Sequence, residues 1–278
     1  MWRTLALAAV ALTTLAACGD DATGPTAEPT LVEGAQKGAT LTIGIPFDNP
    51  GLGLEEDGKH SGFDVETAIY VAKALGVDEK DITWVEAQPQ DREELLTSGK
   101  ADLVFSTYSI TDERKQVVDF AGPYFIAHQD LLVRRNETEI DGPETLNGRV
   151  LCSVTGTTSS DYVTEHYKGT IELKEYDEYS ECVEALLDSE VDAVTTDDVI
   201  LAGFAADDRY RGKLKVVGDG FTDEAYGVGI PKGDSELVAQ VNAALQQYLD
   251  DGSWKKALEA TVGPSGYDIP GPPTIGEE

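Results

Sequence analysis

Residues 149–163, RVLCSVTGTTSSDYV, place a short apolar run, a turn of small polar residues and a helical pattern in immediate succession. The apolar run at residues 150–152 predicts a β-strand, Gly156 lies in the turn, and a helix is expected from Asp161. A strand, a turn and a helix N-terminus in this order direct free backbone N–H groups to one spot, where they can hold an anion. The stretch therefore predicts one unit of an α/β fold with an anion-binding turn.

The same alternation of strand and helix patterns runs along most of the chain, in two series. The first extends from ATLTIGIPF (39–47) to a helix expected at DERKQVV (112–118). The second extends from RVLCSV (149–154) to LKVVG (214–218), and a helical pattern at 235–263 follows. This order predicts an α/β fold with mostly parallel sheets in two lobes. In such sheets ligands bind where strands end and turns begin.

Composition and charge exclude several classes of protein. Apolar residues make up 41% and aromatic residues 8% of the 278-residue chain, enough for hydrophobic cores. The chain carries 52 acidic and 21 basic residues, a formal net charge of −31. Such a charge opposes binding to nucleic acid or to an anionic membrane surface.

The N-terminus has the pattern of a secretory signal peptide. A basic residue, Arg3, precedes an apolar run from Leu5 to Ala17 that is too short to span a bilayer. The ending LAAC resembles the bacterial lipoprotein signal, in which cleavage after residue 17 leaves Cys18 as the lipidated first residue. A buried apolar helix is the alternative interpretation. The polar residues 18–38 are expected to form a flexible tether, and the Pro- and Gly-rich residues 265–278 a disordered tail.

The other two cysteines, Cys152 and Cys182, form an even pair in an exported chain, which favours a disulfide. Two separate buried thiols are the alternative. The three histidines are scattered and no CxxC is present, so neither a metal site nor a cofactor is expected.

Polar residues follow three predicted strands, at 107–109, 155–160 and 196–198. The sequence contains neither a phosphate-binding glycine loop nor a GxSxG nucleophile motif. Asp197 is a candidate catalytic acid, but a lone aspartate after a strand is more often a helix cap. Catalysis is therefore disfavoured.

Binding of a small zwitterion fits these residues better. Arg114 can hold a carboxylate through two parallel hydrogen bonds, and Thr107 and Ser109 supply hydroxyl groups. The alternative for Arg114 is a surface ion pair with Glu113 or Asp119.

Four longer stretches carry a resemblance to a known family: SGFDVETAIYVAKALGV, STYSITDERKQVVDFAGPY, CSVTGTTSS and VDAVTTDDVILAG. They resemble the polar amino-acid solute-binding proteins of ABC importers, and within that family the glutamate-binding lipoproteins of actinobacteria. The resemblance implies a type II periplasmic-binding-protein fold, two α/β lobes joined by a two-strand hinge that crosses near 124–129 and 221–226. Lobe 1 would comprise residues 39–125 with 226–264, and lobe 2 residues 126–225.

The resemblance also implies a ligand site. Arg114 would hold the ligand α-carboxylate, and Asp197 the α-ammonium. Asp198 would cap a helix, although the roles of Asp197 and Asp198 could be exchanged. The remaining residues expected around the α-carboxylate are Thr107, Ser109, Thr155, Thr157 and Thr158.

A second arginine, Arg92, matches the position at which glutamate and aspartate binders of the family hold the side-chain carboxylate. The alternative is an exposed ion pair with Asp91 or Glu93. Some relatives have another arginine after the first strand, but IPFDNPG (45–51) contains no basic residue there. Further candidates for this carboxylate are Lys59, His60 and His128.

The resemblance implies an extracytoplasmic, lipid-anchored and monomeric component of an ABC importer, with permease subunits as partners and L-glutamate as ligand. Aspartate or glutamine is the alternative ligand. A dehydratase-like enzyme on the same fold and a sensor ectodomain are the alternative functions.

Overall fold

The structure, a computed structural model, describes residues 28–167 and 169–276. The predicted signal peptide, Cys18 and the first part of the tether lie outside the described residues. The described chain contains thirteen strands and seven α-helices. The strands are β1 (Leu41–Ile45), β2 (Asp48–Asn49), β3 (Gly53–Glu56), β4 (Lys59–Ser61), β5 (Ile82–Glu86), β6 (Leu103–Val104), β7 (Asp119–Ala127), β8 (Gln129–Arg134), β9 (Val150–Val154), β10 (Glu172–Tyr176), β11 (Ala193–Asp197), β12 (Leu214–Val216) and β13 (Glu224–Ile230). The helices are α1 (Phe63–Ala74), α2 (Arg92–Thr97), α3 (Thr158–His166), α4 (Tyr179–Leu187), α5 (Asp198–Ala206), α6 (Ser235–Asp250) and α7 (Ser253–Thr261).

The strands form two five-stranded sheets, one in each lobe, and a small three-stranded sheet. The first sheet has the order β5-β1-β6-β13-β7, the second β10-β9-β11-β8-β12, and the small sheet β2-β3-β4. Strands β5, β1 and β6 are mutually parallel, as are β10, β9 and β11. The expectation of mostly parallel sheets therefore holds for three strands of each. The others pair antiparallel, because the chain leaves lobe 1 along β7 and returns along β13 in the opposite direction.

The two crossing segments lie side by side. His128 alone separates β7 in the first sheet from β8 in the second. On the return segment, the Phe221 N–H donates to the Gln129 carbonyl at 2.9 Å, and the Gln129 N–H donates to the Thr222 hydroxyl at 3.0 Å. These hydrogen bonds tie the two crossings together where the lobes meet.

The helices cover the sheets with their apolar faces. The buried residues of α1 include Phe63, Val65 and Val71, which pack in the largest core cluster. The predicted helical pattern at 235–263 is divided between α6 and α7 at Gly252, whose φ of 79° ends one helix and begins the next.

The prediction of a helix at 112–118 is wrong, because only a single 3-10 turn forms there, at Arg114–Gln116. The Arg114 N–H donates to the Thr111 hydroxyl at 3.1 Å, which tightens the turn. The β-branched Val117 and Val118 follow, and β7 begins at once at Asp119. Because β-branched residues favour the extended backbone, the turn does not propagate.

Both ends of the described chain pack closer to the fold than the sequence predicts. In the segment expected to be a tether, Val32 is buried, and its N–H donates to the Ala74 carbonyl at 3.0 Å. In the segment expected to be disordered, Tyr267 and Ile275 pack on the core, and the Gly276 N–H donates to the Gly122 carbonyl at 2.8 Å. Single apolar residues, such as Val32 and Tyr267, make these contacts. The average composition of the surrounding polar segments does not indicate them.

A disulfide joins Cys152 of β9 to Cys182 of α4, with a Cα–Cα distance of 5.6 Å. It links the middle one of the second sheet's three parallel strands to a covering helix. Within the described ranges, no helix has the length and apolarity that a membrane crossing requires. In the same residues, no group of three or more His, Cys, Asp or Glu side chains is arranged to hold a metal ion.

Candidate functional site

A small cavity lies between the lobes, beside the carboxyl ends of β6, β9 and β11. Seven of the eight residues predicted from the sequence to bind ligand line it together. They are Arg92, Thr107, Ser109, Arg114, Thr157, Thr158 and Asp197.

The eighth predicted residue, Thr155, does not line the cavity. It is exposed, and its N–H donates to the Tyr176 carbonyl at 3.1 Å, which continues the pairing of β9 with β10. Strand β9 ends at Val154, and Thr155 opens the turn with its side chain exposed to solvent. The assignment of Thr155 from the motif is therefore corrected.

Arg92 is the first residue of α2, and it is buried rather than paired on an exposed helix. Its guanidinium donates to three main-chain carbonyls at 3.0–3.1 Å, those of Pro89, Ser106 and Gly156. Among the described residues, no carboxylate forms an ion pair with it. Burial, and then the charge of Arg114, lower the pKa of Arg92 to about 10. The site thus holds a buried guanidinium bound only by neutral oxygens.

Arg114 reaches the same cavity from the 3-10 turn. It donates to the Ser109 carbonyl at 2.7 Å and to the Gly156 carbonyl at 3.1 Å. Its Nε lies 3.6 Å from a carboxylate oxygen of Glu93, and its side chain is only 10% exposed. The expected alternative partner Asp119 pairs instead with Lys232 at 2.7 Å.

The Gly156 carbonyl therefore accepts from both arginines, across the cleft between the lobes. Gly156 has a φ of 78°, and a Cβ at this position would lie 2.8 Å from the Cα of Gln90 in the other lobe. The absence of a side chain lets the two backbones meet. The structure thus shows the cleft in a closed arrangement.

The turn after β9 presents the N-terminus of α3 to the cavity. Thr157 is the N-cap, and its hydroxyl accepts from the Ser160 N–H at 3.1 Å. The N–H groups of Thr158 and Ser159 lie in the first turn, where a helix offers its own amides no carbonyl partner. The Ser159 hydroxyl is buried without a partner in the described residues. This end of the cavity is suited to an anion.

Asp197 ends β11 and precedes α5, but its carboxylate does not cap the helix. One oxygen accepts from the Tyr226 hydroxyl, and the other, Oδ1, is buried without a partner in the described part of the chain. Burial, and then the charge of Glu224, raise the pKa of Asp197 well above its usual value, although the Tyr226 hydrogen bond opposes the shift. An ammonium group would satisfy both the free oxygen and the charge.

Asp198 has a structural role. Its Oδ1 accepts from the Val199 N–H at 2.8 Å and from the His128 N–H at 3.2 Å. Its Oδ2 accepts from the Tyr267 hydroxyl at 3.0 Å. The carboxylate thus ties the start of α5 to the crossing segment and to the C-terminal segment, away from the cavity lining.

A buried carboxylate that sequence reasoning missed, Asp64 of α1, supports the cavity wall. It accepts from the Thr107 N–H at 2.9 Å and from the Tyr124 hydroxyl at 2.6 Å. Thr107 has a φ of 42°, which is rare for a β-branched residue. The Asp64 hydrogen bond holds this conformation, in which the Thr107 carbonyl also accepts from Arg92 at 3.4 Å. Burial raises the pKa of Asp64 to about 6.

Three further candidates lie away from the cavity. Lys59 is exposed on β4, and the His60 ring packs between Phe47 and Trp84 at centroid distances of 4.9 and 5.6 Å. His128 Nδ1 donates to the Thr222 carbonyl at 2.8 Å in the crossing. None of the three therefore reaches the site.

The cavity also has lining residues beyond the eight assigned from the sequence, although Ser159 and Thr196 lie in the polar segments predicted at strand ends. Tyr179 begins α4, and its hydroxyl accepts from the Thr196 hydroxyl at 2.5 Å. Nothing in the local pattern distinguishes Tyr179 from an ordinary core tyrosine. The other lining residues are Pro89, Ser159, Thr196 and Ile200. Two cations at one end and a free carboxylate oxygen at the other can hold an amino acid by both of its α-groups.

Comparisons with known proteins agree with this geometry. Residues 41–263 match the model of the bacterial extracellular solute-binding proteins, family 3. The chain is 40% identical to the glutamate-binding protein GluB of Corynebacterium glutamicum, over 93% of this chain and 89% of that protein. It is 34% identical to the ABC transporter glutamine-binding protein GlnH of Bacillus subtilis, over 80% of this chain and 81% of that protein. Among solved structures, an ancestral arginine-binding protein bound to glutamine has a TM-score of 0.74 and 34% identity, over 81% of this chain and 98% of that one.

Proposed function

This chain belongs to the bacterial extracellular solute-binding proteins of family 3, and we propose that it captures L-glutamate for an ABC importer. The observation that carries the choice of ligand is the charge of the cavity. Its lining contains two arginines, Arg92 and Arg114, and one aspartate, Asp197. This set complements a ligand with two carboxylates and one ammonium. The 40% identity to a glutamate-binding protein supports the same choice.

Each ionic group of the ligand has a partner in this proposal. Arg114 and the N-terminus of α3 bind the α-carboxylate, and the free Oδ1 of Asp197 accepts from the α-ammonium. Arg92 binds the side-chain carboxylate. Unlike Arg114, which pairs with Glu93 at 3.6 Å, Arg92 forms no ion pair with a carboxylate in the described residues. A neutral side chain, as in glutamine, would leave the Arg92 charge unmatched.

Capture involves closure of the two lobes about the crossing segments. We assign residues 39–125 with 226–264 to lobe 1 and residues 126–225 to lobe 2. Hydrogen bonds that span the cleft support this division: Arg92 and Arg114 donate to the Gly156 carbonyl, and the Ser180 N–H donates to Asp48 at 2.8 Å. Breaking these bonds would open the cavity to solvent.

A binding function is preferred over an enzymatic one. In the described residues the cavity lining brings together no histidine with a carboxylate. Such a site binds its ligand without turning it over. Incubation of the protein with L-glutamate, followed by chromatography of the recovered ligand, should return glutamate unchanged.

We also propose that the chain is exported by its signal peptide, lipidated at Cys18 and anchored as a monomer at the outer face of the plasma membrane. The LAAC pattern at residues 15–18 supports this placement. Metabolic labelling with a fatty acid should mark the wild type and leave Cys18→Ser unlabelled. Equal labelling of both proteins would contradict the assignment of Cys18.

Isothermal titration calorimetry with L-glutamate, L-aspartate and L-glutamine tests the proposed ligand. We expect tightest binding for L-glutamate. Tighter binding of L-glutamine, or binding of none of the three, would refute the proposal.

A further inference from the structure

The two arginines of the cavity lie close enough to share one acceptor, the Gly156 carbonyl, at 3.1 Å from each. Two guanidiniums so close repel each other, and the charge of Arg114 contributes to the lowered pKa of Arg92. Something must hold both cations in the cavity before a ligand arrives, because carbonyl oxygens offset only part of this repulsion.

Tyr108 is the side chain that contacts both arginines. Its ring centroid lies 4.3 Å from the Cζ of Arg92 and 5.1 Å from the Cζ of Arg114. Both distances are within the range of a cation–π interaction, and the ring is fully buried, where such interactions are strongest. The negative face of one ring thus stabilises two positive charges.

The surroundings of Tyr108 fix its ring in this place. Phe120 packs edge-on at a centroid distance of 4.8 Å. Gly229 of β13 lies against the ring, and a Cβ on Gly229 would come within 2.9 Å of the ring atom Cε1. The Tyr108 hydroxyl donates to Glu93 at 2.6 Å. Phe120 and Gly229 therefore fix the position of the Tyr108 ring, and Glu93 fixes its hydroxyl group.

Within the described residues, Glu93 forms an ion pair with Arg114 and none with Arg92. The same carboxylate oxygen that accepts from Tyr108 lies 3.6 Å from the Nε of Arg114. Arg114 thus has a carboxylate neighbour, whereas Arg92 has the ring and the carbonyls. In the described part of the chain, the arrangement leaves one of the two guanidinium groups without an ion-pair partner.

From this geometry we propose that Tyr108 is a positioning residue that determines the preference of the cavity for a dicarboxylate. Its ring holds Arg92 in place as a cation that forms no ion pair within the described residues, while Glu93 pairs with Arg114. This inference rests on the proposed function, since it explains how the site would distinguish L-glutamate from L-glutamine. Tyr108 acts through the arginines and itself does not line the cavity.

Two substitutions separate the ring from the hydroxyl. Tyr108→Phe keeps the aromatic face, and we expect affinities within about 3-fold of the wild type for both ligands. Tyr108→Leu keeps an apolar side chain without a π face. We expect it to weaken L-glutamate binding about 10-fold or more and L-glutamine binding about 3-fold or less. If Tyr108 had a purely structural role, Tyr108→Leu would weaken the binding of both ligands equally, and that result would overturn the inference.

A measurement without ligand makes the inference independent of the proposed function. The side-chain Nε–H groups of Arg92 and Arg114 can be followed by ¹⁵N NMR in the ligand-free protein. We expect Tyr108→Phe to keep the slow hydrogen exchange of the wild type and Tyr108→Leu to lose it. Unchanged exchange in folded Tyr108→Leu would overturn the positioning role. Binding of neither ligand by the wild type would refute only the proposed function.

Discussion

The guanidinium of Arg92 donates a hydrogen bond of 3.1 Å to the carbonyl of Gly156, so a side chain of lobe 1 grips the backbone of lobe 2 at the ligand cavity. Arg92 is 2% exposed, and no carboxylate among the described residues pairs with it. A buried cation in this state is stabilised by a bound anion. The contact links the charge that would select the ligand with the closure that would retain it.

The first prediction concerns Arg92. We expect Arg92→Gln to lower the affinity for L-glutamate by about 100-fold or more, because a charge-assisted pair in a buried site is lost. The affinity for L-glutamine should fall much less, because its neutral amide does not need the charge. Titration of both ligands into wild type and variant measures this. Equal, small losses would mean that another group holds the side-chain carboxylate.

Asp197 and Asp198 provide a matched pair for the second prediction. Asp197→Asn removes the charge beside the free Oδ1, and we expect a loss of roughly 100- to 1000-fold in affinity with little change in stability. Asp198→Asn should instead lower the melting temperature, because Asp198 accepts three hydrogen bonds at the crossing. Thermal unfolding and calorimetry of both variants decide the roles. The reverse pattern would show that the roles of Asp197 and Asp198 are exchanged.

The third prediction concerns closure. Gly203 lies within α5, and a Cβ there would come within 2.1 Å of the Pro50 carbonyl in the other lobe. Alanine favours a helix over glycine by about 1 kcal/mol, so Gly203→Ala should not destabilise the open protein. The substitution should hinder closure and weaken the binding of L-glutamate and of L-glutamine by the same factor. A lowered melting temperature without ligand would mean that Pro50 and Gly203 stay in contact when the cleft opens.

The fourth prediction concerns the disulfide between Cys152 and Cys182. It closes a loop with a sequence separation of 30, so its loss should lower the free energy of unfolding by about 2–4 kcal/mol. Urea unfolding of the double variant Cys152→Ser/Cys182→Ser, compared with the oxidised wild type, measures the difference. Labelling of two free thiols in denatured, unreduced mature protein would contradict the bridge itself.

The fifth prediction concerns pH. Burial raises the folded-state pKa of Asp64 to about 6, above the usual aspartate value of 3.8. The folded state therefore binds more protons than the unfolded state between these values, and the free energy of unfolding should fall as pH rises from about 4 to 6. Asp64 contributes at most about 3 kcal/mol to this change.

Asp64→Asn provides the control for the pH prediction. An amide can still accept from the Thr107 N–H but does not titrate, so the variant should show a flatter dependence of stability on pH. Urea unfolding at several pH values between 4 and 8 compares the two proteins. Identical profiles would place the titration elsewhere, for example at Asp48 or Asp130, whose pKa burial also raises to about 6.

The sequence by itself determined the fold class and most of the cavity lining. Period-2 and helical patterns depend on neighbours along the chain, and they place polar residues such as Thr107, Thr157 and Asp197 at strand ends, where parallel strands converge. The motif did not distinguish Thr157 and Thr158, which line the cavity, from Thr155, whose side chain is exposed in the same turn.

Only the tertiary structure decided the partners of the charged side chains. Arg92 has acidic neighbours on both sides in the sequence, yet in the fold it contacts carbonyls and the Tyr108 ring. Asp64 looks like an ordinary acidic residue in the first turn of a helix, and it becomes the support of Thr107 only when α1 meets β6 and β7. Packing within and between the lobes brings together residues that are far apart in the chain. The loss of solvent around their side chains then shifts their pKa values. No local pattern records these distances, so the chemistry of the site depends on the packing of the two lobes.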